Sequence, residues 1–173
     1  MFAPDIAPCV VVMGVSGVGK TTVAVLLAER LGLRYAEADD FHPAANIAKM
    51  RSGTPLDDAD RRPWLLALGG WLGERAADGS GGVITCSALR RGYRDTLRAA
   101  CPEAWFLHLS GSHDLVAGRI GRRQGHFMPP SLLDSQYAAL EPLAPDEAGA
   151  VLDVGTAGPE QLAAAAARLL GRP

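Results

Sequence analysis

The chain has 173 residues with a formal net charge of −2, a length that fits one domain of ordinary size. With 48% hydrophobic and 21% charged residues it can bury a core, which excludes a disordered tail. Its 17 basic residues are interspersed among 19 acidic ones, which argues against nucleic-acid binding through a basic surface. No apolar run approaches the ~18–20 residues of a membrane span. The opening MFAPDIAPC has no basic stretch leading into an apolar one, so no secretory signal is expected. Cys9, Cys86 and Cys101 cannot all pair and lack close metal-ligand spacing. They are expected to be reduced thiols in a cytoplasmic protein.

In chain order, Cys9–Gly14 (CVVVMG) predicts a strand buried on both faces, and Lys20–Leu31 a helix stopped by Gly32. Arg34–Glu37 is a weak second strand, and a short helix falls around Ala44–Met50. Asp60 is positioned to cap a helix from about Arg61 to Ala77, with Trp64 and Trp71 in its apolar stripe. Further strands are expected at Val83–Cys86, Trp105–Leu109 and Ala150–Val154. Helices are expected at Gly92–Ala100, Asp114–Arg123, Ser131–Leu140 and Pro159–Leu170. Repeated strand-then-helix order predicts a three-layer α/β fold with parallel strands and helices on both faces. Neither an internal repeat nor a dividing linker interrupts residues 1–173.

The chemistry centres on Gly14-Val-Ser-Gly-Val-Gly19-Lys20-Thr21, which fills the phosphate-loop pattern G-x-x-x-x-G-K-[ST]. Glycines let successive backbone N–H groups, here around Ser16, Gly17, Val18 and Gly19, approach phosphate oxygens. The helix that follows, opening on Lys20, Thr21 and Thr22, adds its positive dipole end. Lys20 is suited to the β- and γ-phosphates of ATP, and the Thr21 hydroxyl to Mg²⁺. The third strand ends Val-Ile-Thr-Cys86-Ser87, without a magnesium-supporting aspartate. The acid must then come from Glu37, Asp39 or Asp40, beyond the second strand, where ligands of open α/β sheets bind. No Asn-Lys-x-Asp element is present to read guanine.

Beyond the loop, Asp39-x-x-His42-Pro43 and Asn46-Ile-x-Lys49-Met50 resemble the small phosphate-loop gluconate kinases. So do Gly53-x-Pro55-Leu56-x-Asp58-x-Asp60-Arg61-x-Pro63-Trp64-Leu65 and Cys86-Ser87-Ala88-Leu89 with Tyr93-Arg94-Asp95. The likeness returns at Arg119-Ile-x-x-Arg123-x-Gly125-His126-Phe127 and Ser135-Gln136-Tyr137, and so covers about residues 10 to 155. Ala38, Glu37 and Gln124 depart from the residues usual at their positions.

This resemblance implies a five-stranded parallel sheet of order 2-3-1-4-5 and transfer of the ATP γ-phosphoryl group, with Mg²⁺, to the 6-hydroxyl of D-gluconate. It implies that Asp39 takes or orients the proton of the attacking hydroxyl. His42, Lys49, Arg90, Arg94, His126 and Gln136 are the expected gluconate contacts. By resemblance to nucleoside-monophosphate-kinase-like enzymes, Arg119 would meet the adenine of ATP and Arg123 would lie near its phosphates. Glu37 would support magnesium through water, Gln124–Pro130 would form a lid, and the enzyme would be a homodimer without nucleic-acid or membrane partners. A shikimate-like kinase or a nucleotide-binding module without turnover are the rivals.

His108, within Trp-Phe-Leu-His-Leu, is expected to be a hydrogen-bonded strand histidine, and His113 to belong to a helix start. Cys86 is expected to act as a small buried hydrophobe. Of 17 basic residues only Lys20 and Lys49 are lysines.

Overall fold

The computed structural model describes residues 6–122 and 130–173. Strand β1 (Cys9–Met13) leads through the phosphate loop into α1 (Lys20–Leu31), followed by β2 (Tyr35–Ala36) and a 3-10 helix (Ala38–Phe41). Next come α2 (Ala44–Arg51), α3 (Asp58–Ala77), β3 (Gly82–Thr85) and α4 (Arg91–Ala100). The remainder is β4 (Trp105–Ser110), α5 (His113–Arg122), α6 (Pro130–Ala139), β5 (Gly149–Asp153) and α7 (Pro159–Leu169). All strand pairings are parallel, in the order β2-β3-β1-β4-β5. The expected architecture and strand order are therefore both present.

The period-2 alternation of strands divides the core between the two faces of the sheet. Val10 and Val12 of β1, Val83 of β3 and Leu107 of β4 pack with Leu27 of α1 and Ala166 of α7. Val11 and Met13, Ile84 and Phe106 pack on the other face with Leu68 of α3 and Leu97 of α4. With β1 buried along its whole length, its carboxyl end holds the phosphate loop at the centre of the sheet.

Helix α3 begins three residues before the expected start. Asp57, not Asp60, is the cap: its carboxylate accepts the Asp60 N–H (2.7 Å), while the Asp60 carboxylate accepts the Asp57 N–H (3.1 Å). This reciprocal capping box satisfies two otherwise orphaned donors, and Pro63 is tolerated within the first two turns.

A buried ionic cluster joins α4 to the segment before β5. The Arg94 guanidinium, fully buried, meets Glu147 with Nε–Oε1 at 2.7 Å and Nη2–Oε2 at 2.9 Å. Arg98 adds a bond to Glu147 (2.8 Å), and the Ala144 N–H another (2.8 Å). Removing one partner of such a pair costs about 3–5 kcal/mol, because the other charge is left buried alone. Burial opposes ionisation of Glu147, but bonds from Arg94, the Ala144 amide and Arg98 outweigh it and hold its pKa at about 2.

A carboxyl depressed in the folded state stabilises the fold above its unfolded value, and that contribution is lost as pH falls through the folded one. Denaturant unfolding of wild type and Glu147→Gln should therefore differ most at neutral pH. The gap should narrow from about pH 4.5 and close near pH 2. A gap independent of pH would contradict this.

Candidate functional site

The phosphate loop is shaped by residues that only glycine can occupy. Gly14 has φ 144°, and a Cβ there would stand 2.7 Å from the Leu109 carbonyl oxygen. Gly17 has φ 82°, and a Cβ there would meet Ile120 of α5 at 2.5 Å. Without side chains at these points the loop packs tightly between β4 and α5. Lys20, at the first position of α1, donates to the Gly14 and Val15 carbonyls at 3.0 Å each. Gly19 and Lys20 thus open a helix N-terminus onto the loop, the arrangement that attracts phosphate.

Beside it lies the end of β2. The Thr21 hydroxyl donates to Glu37 Oε2 (3.0 Å), and the Thr85 hydroxyl to Glu37 Oε1 (2.7 Å). Tyr35 donates its hydroxyl to the same carboxylate. Burial and then this carboxylate push the Tyr35 phenol well above its ordinary range. With its proton directed at Glu37, the Thr21 oxygen keeps lone pairs for a cation, which fits Mg²⁺ held by a hydroxyl, nucleotide phosphates and water. Among the described residues no group of three or more His, Cys, Asp or Glu side chains could hold a metal unaided.

The turn carrying Asp39 is fastened by side chains on both sides. Ala38 N–H donates to Thr85 Oγ1 (3.2 Å), and the Trp64 indole N–H donates to the Ala38 carbonyl (2.7 Å). Asp39 stands exposed on the 3-10 helix that follows. Cys86 is wholly buried, and burial pushes its thiol up to about 12. The Ala88 amide and then the Lys20 charge draw it down, while Asp39 pushes it up.

His42 stacks on Trp64 with centroids 4.4 Å apart and planes 11° from parallel. Burial lowers its pKa, Asp39 works against that, and Arg61 adds to it. Asn46 Nδ2 lies 3.4 Å from His42 Nδ1 and donates to the Asp60 carbonyl (2.8 Å). Trp64 is therefore more than part of the stripe with Trp71: it is the floor under His42. The heptad spacing of the two tryptophans gives no sign of this.

Lys49 Nζ bonds Asp60 Oδ2 at 2.7 Å, tying α2 to the capping box of α3. Arg90 is exposed at the N-cap of α4. Gln136 of α6 meets the phosphate loop directly: its Oε1 accepts the Ser16 N–H (2.7 Å) and its Nε2 donates to Ser16 Oγ (3.0 Å). Arg119 of α5 donates to the carbonyls of Val18 (3.2 Å) and Val154 (3.1 Å). It lines a cavity of about 240 Å³ with Gly17, Gly19, Thr22, Ala157 and Pro159.

Arg94 requires a correction. It does not face the cleft; Glu147 and the Ala88 carbonyl (2.9 Å) engage it within the core. His108 is also not the hydrogen-bonded histidine expected, since among the described residues its buried Nδ1 has no partner. Burial, then the nearby Arg94 charge, lowers its pKa and keeps it neutral. His113 does open α5, with Nε2 2.6 Å from Asp134. Arg123, His126 and residues 124–129 of the expected lid lie outside the described residues.

A parallel sheet of this order, with a glycine-rich loop from β1 into α1 and a carboxylate-bearing turn after β2, defines the class of phosphate-loop kinases. No family model matches the chain. A gluconokinase of Gluconobacter oxydans is 54% identical over 137 residues, which span 79% of this chain and 77% of that protein. An unliganded sugar kinase from Janibacter sp. superposes with a TM-score of 0.88 at 53% identity, covering 95% of both chains. A gluconokinase from Sinorhizobium meliloti superposes with a TM-score of 0.82 at 43% identity, over 95% of this chain and 94% of that one. The chain belongs to the gluconokinase family.

Proposed function

We propose that the protein transfers the γ-phosphoryl group of ATP to the 6-hydroxyl of D-gluconate, giving 6-phospho-D-gluconate and ADP. The observation that carries this reading is the junction of the phosphate loop with the β2 turn through Thr21 and Glu37. It joins the nucleotide-phosphate cradle to the turn that carries Asp39, an exposed carboxylate suited to an acceptor hydroxyl.

In this reading Lys20 and the amides of Gly17, Val18, Gly19, Thr21 and Thr22 hold the phosphates, and Arg119 borders the adenine. Mg²⁺, when bound, neutralises charge on the transferring group, and Thr21 with Glu37 behind it fits that role. Asp39 accepts or orients the proton of the attacking hydroxyl. A loose phosphoryl-transfer transition state needs alignment and charge neutralisation above all, which these groups supply without a covalent intermediate. His42, held neutral on Trp64, and Lys49 and Arg90 supply hydrogen bonds and positive charge for a polyhydroxylated anion. The three free, buried cysteines fit a reducing compartment such as the cytoplasm. A shikimate-like acceptor is disfavoured, because Cys86-Ser87-Ala88-Leu89-Arg90-Arg91 follows β3 where a glycine triplet would be expected.

Phosphorus and carbon NMR of the product test the regiochemistry: a phosphate ester at C6 supports the reading, and an ester elsewhere sinks it. Lys49 offers a sharper test of the acceptor side. A compact ammonium can leave or share Asp60 to meet a sugar-acid oxygen, whereas a planar guanidinium has a fixed fork. Lys49→Arg should raise KM for gluconate at least ~10-fold, about 1.4 kcal/mol, with KM for ATP nearly unaffected. Wild-type gluconate kinetics in this variant would leave Lys49 only its bond to Asp60.

A further inference from the structure

The turn between β3 and α4 holds an unusual backbone. Ala88 has φ 46°, the one non-glycine residue with positive φ among the described residues. It is buried, and each carbonyl around it is engaged from a different part of the fold. The Ser87 carbonyl accepts the Gly14 N–H of the phosphate loop (3.2 Å). The Leu89 carbonyl accepts the Glu141 N–H (2.7 Å), and the Ala88 carbonyl itself accepts Arg94 Nη1 (2.9 Å). Arg94 can do this because Glu147 fixes the rest of its guanidinium in a two-bond fork. An ion pair serving only to join α4 to Glu147 would need no strained residue at its tip; strain retained beside a site points to a role there.

We infer that Arg94 is a positioning residue for the acceptor: braced by Glu147, it holds the left-handed turn at Ala88 and so sets where Ser87 and Arg90 stand relative to the phosphate loop. This rests on the proposed gluconate kinase reaction.

Arg94→Lys keeps a cation beside Glu147 but loses the fork that serves Glu147 and the Ala88 carbonyl together. It is to be measured alone and with Ala88→Gly, since glycine takes positive φ unaided. Arg94→Lys is expected to raise KM for gluconate at least ~10-fold, to change KM for ATP less than about threefold, and to speed amide hydrogen exchange over residues 87–91. Adding Ala88→Gly should return KM for gluconate to within about threefold of wild type, while the melting temperature stays as low as in Arg94→Lys. Should Arg94→Lys not fold, Glu147→Gln, with and without Ala88→Gly, replaces it with the same expectations. A KM for gluconate that never rises, or that glycine fails to restore, overturns the proposal and leaves Arg94 an ion-pair partner alone. Absence of gluconate turnover in the unaltered chain would overturn the proposed function instead. Exchange over 87–91 would then decide the clamp, and unchanged rates would overturn it.

Discussion

Lys20→Ala is expected to lower kcat for phosphoryl transfer at least ~10³-fold, about 4 kcal/mol, in a protein that still folds. The lost ammonium is the group on the phosphate loop suited to neutralise charge as it develops on the transferring phosphoryl. Its bonds to the Gly14 and Val15 carbonyls are local, and α1 stays anchored by Val23, Ala24, Leu27 and Ala28, all buried. The variant is therefore expected to keep the anchored α1 and the sheet it packs on. Circular dichroism with steady-state kinetics checks both halves, and near-wild-type turnover in a folded variant would end the phosphate-loop account.

Asp39→Asn is expected to lower kcat at least ~10²-fold while KM for ATP changes much less, the pattern of a group that acts on the acceptor hydroxyl in the transition state. The substitution is nearly isosteric, and the turn beneath it is held by Thr85 and Trp64 through Ala38 rather than by Asp39. Loss of rate would thus report chemistry, not collapse of the loop. An unchanged kcat would move the catalytic carboxylate to Asp40, because Glu37 is engaged by three hydroxyls.

What was legible in the sequence depended on range. The phosphate loop and α1 follow from contiguous residues: a β-branched run, glycines at fixed offsets and a stop at Gly32. The sequence alone puts the start of α3 three residues late because Asp57 and Asp60 are both good caps, and only the reciprocal bonds show that Asp57 starts the helix. Strand β2, with two residues, carries too little pattern to be delimited by periodicity. From sequence Arg94 reads as a substrate contact because its partner, Glu147, lies 53 positions away and nothing local announces it. Nothing local announces the Gln136 bond to Ser16, 120 positions distant, or the place of Trp64 under His42, which depends on how α3 meets the β2 turn. A buried arginine demands an acid, and Glu147 supplies it here.

The central claim is that this phosphate loop serves transfer to gluconate rather than nucleotide binding alone. Coupled measurement of ADP release, with ATP and Mg²⁺ and with gluconate, shikimate or no acceptor, tests it most directly. The account predicts rapid ADP release with gluconate and only background release with shikimate or without acceptor. ADP release that is the same with and without gluconate, or faster with shikimate, would contradict it.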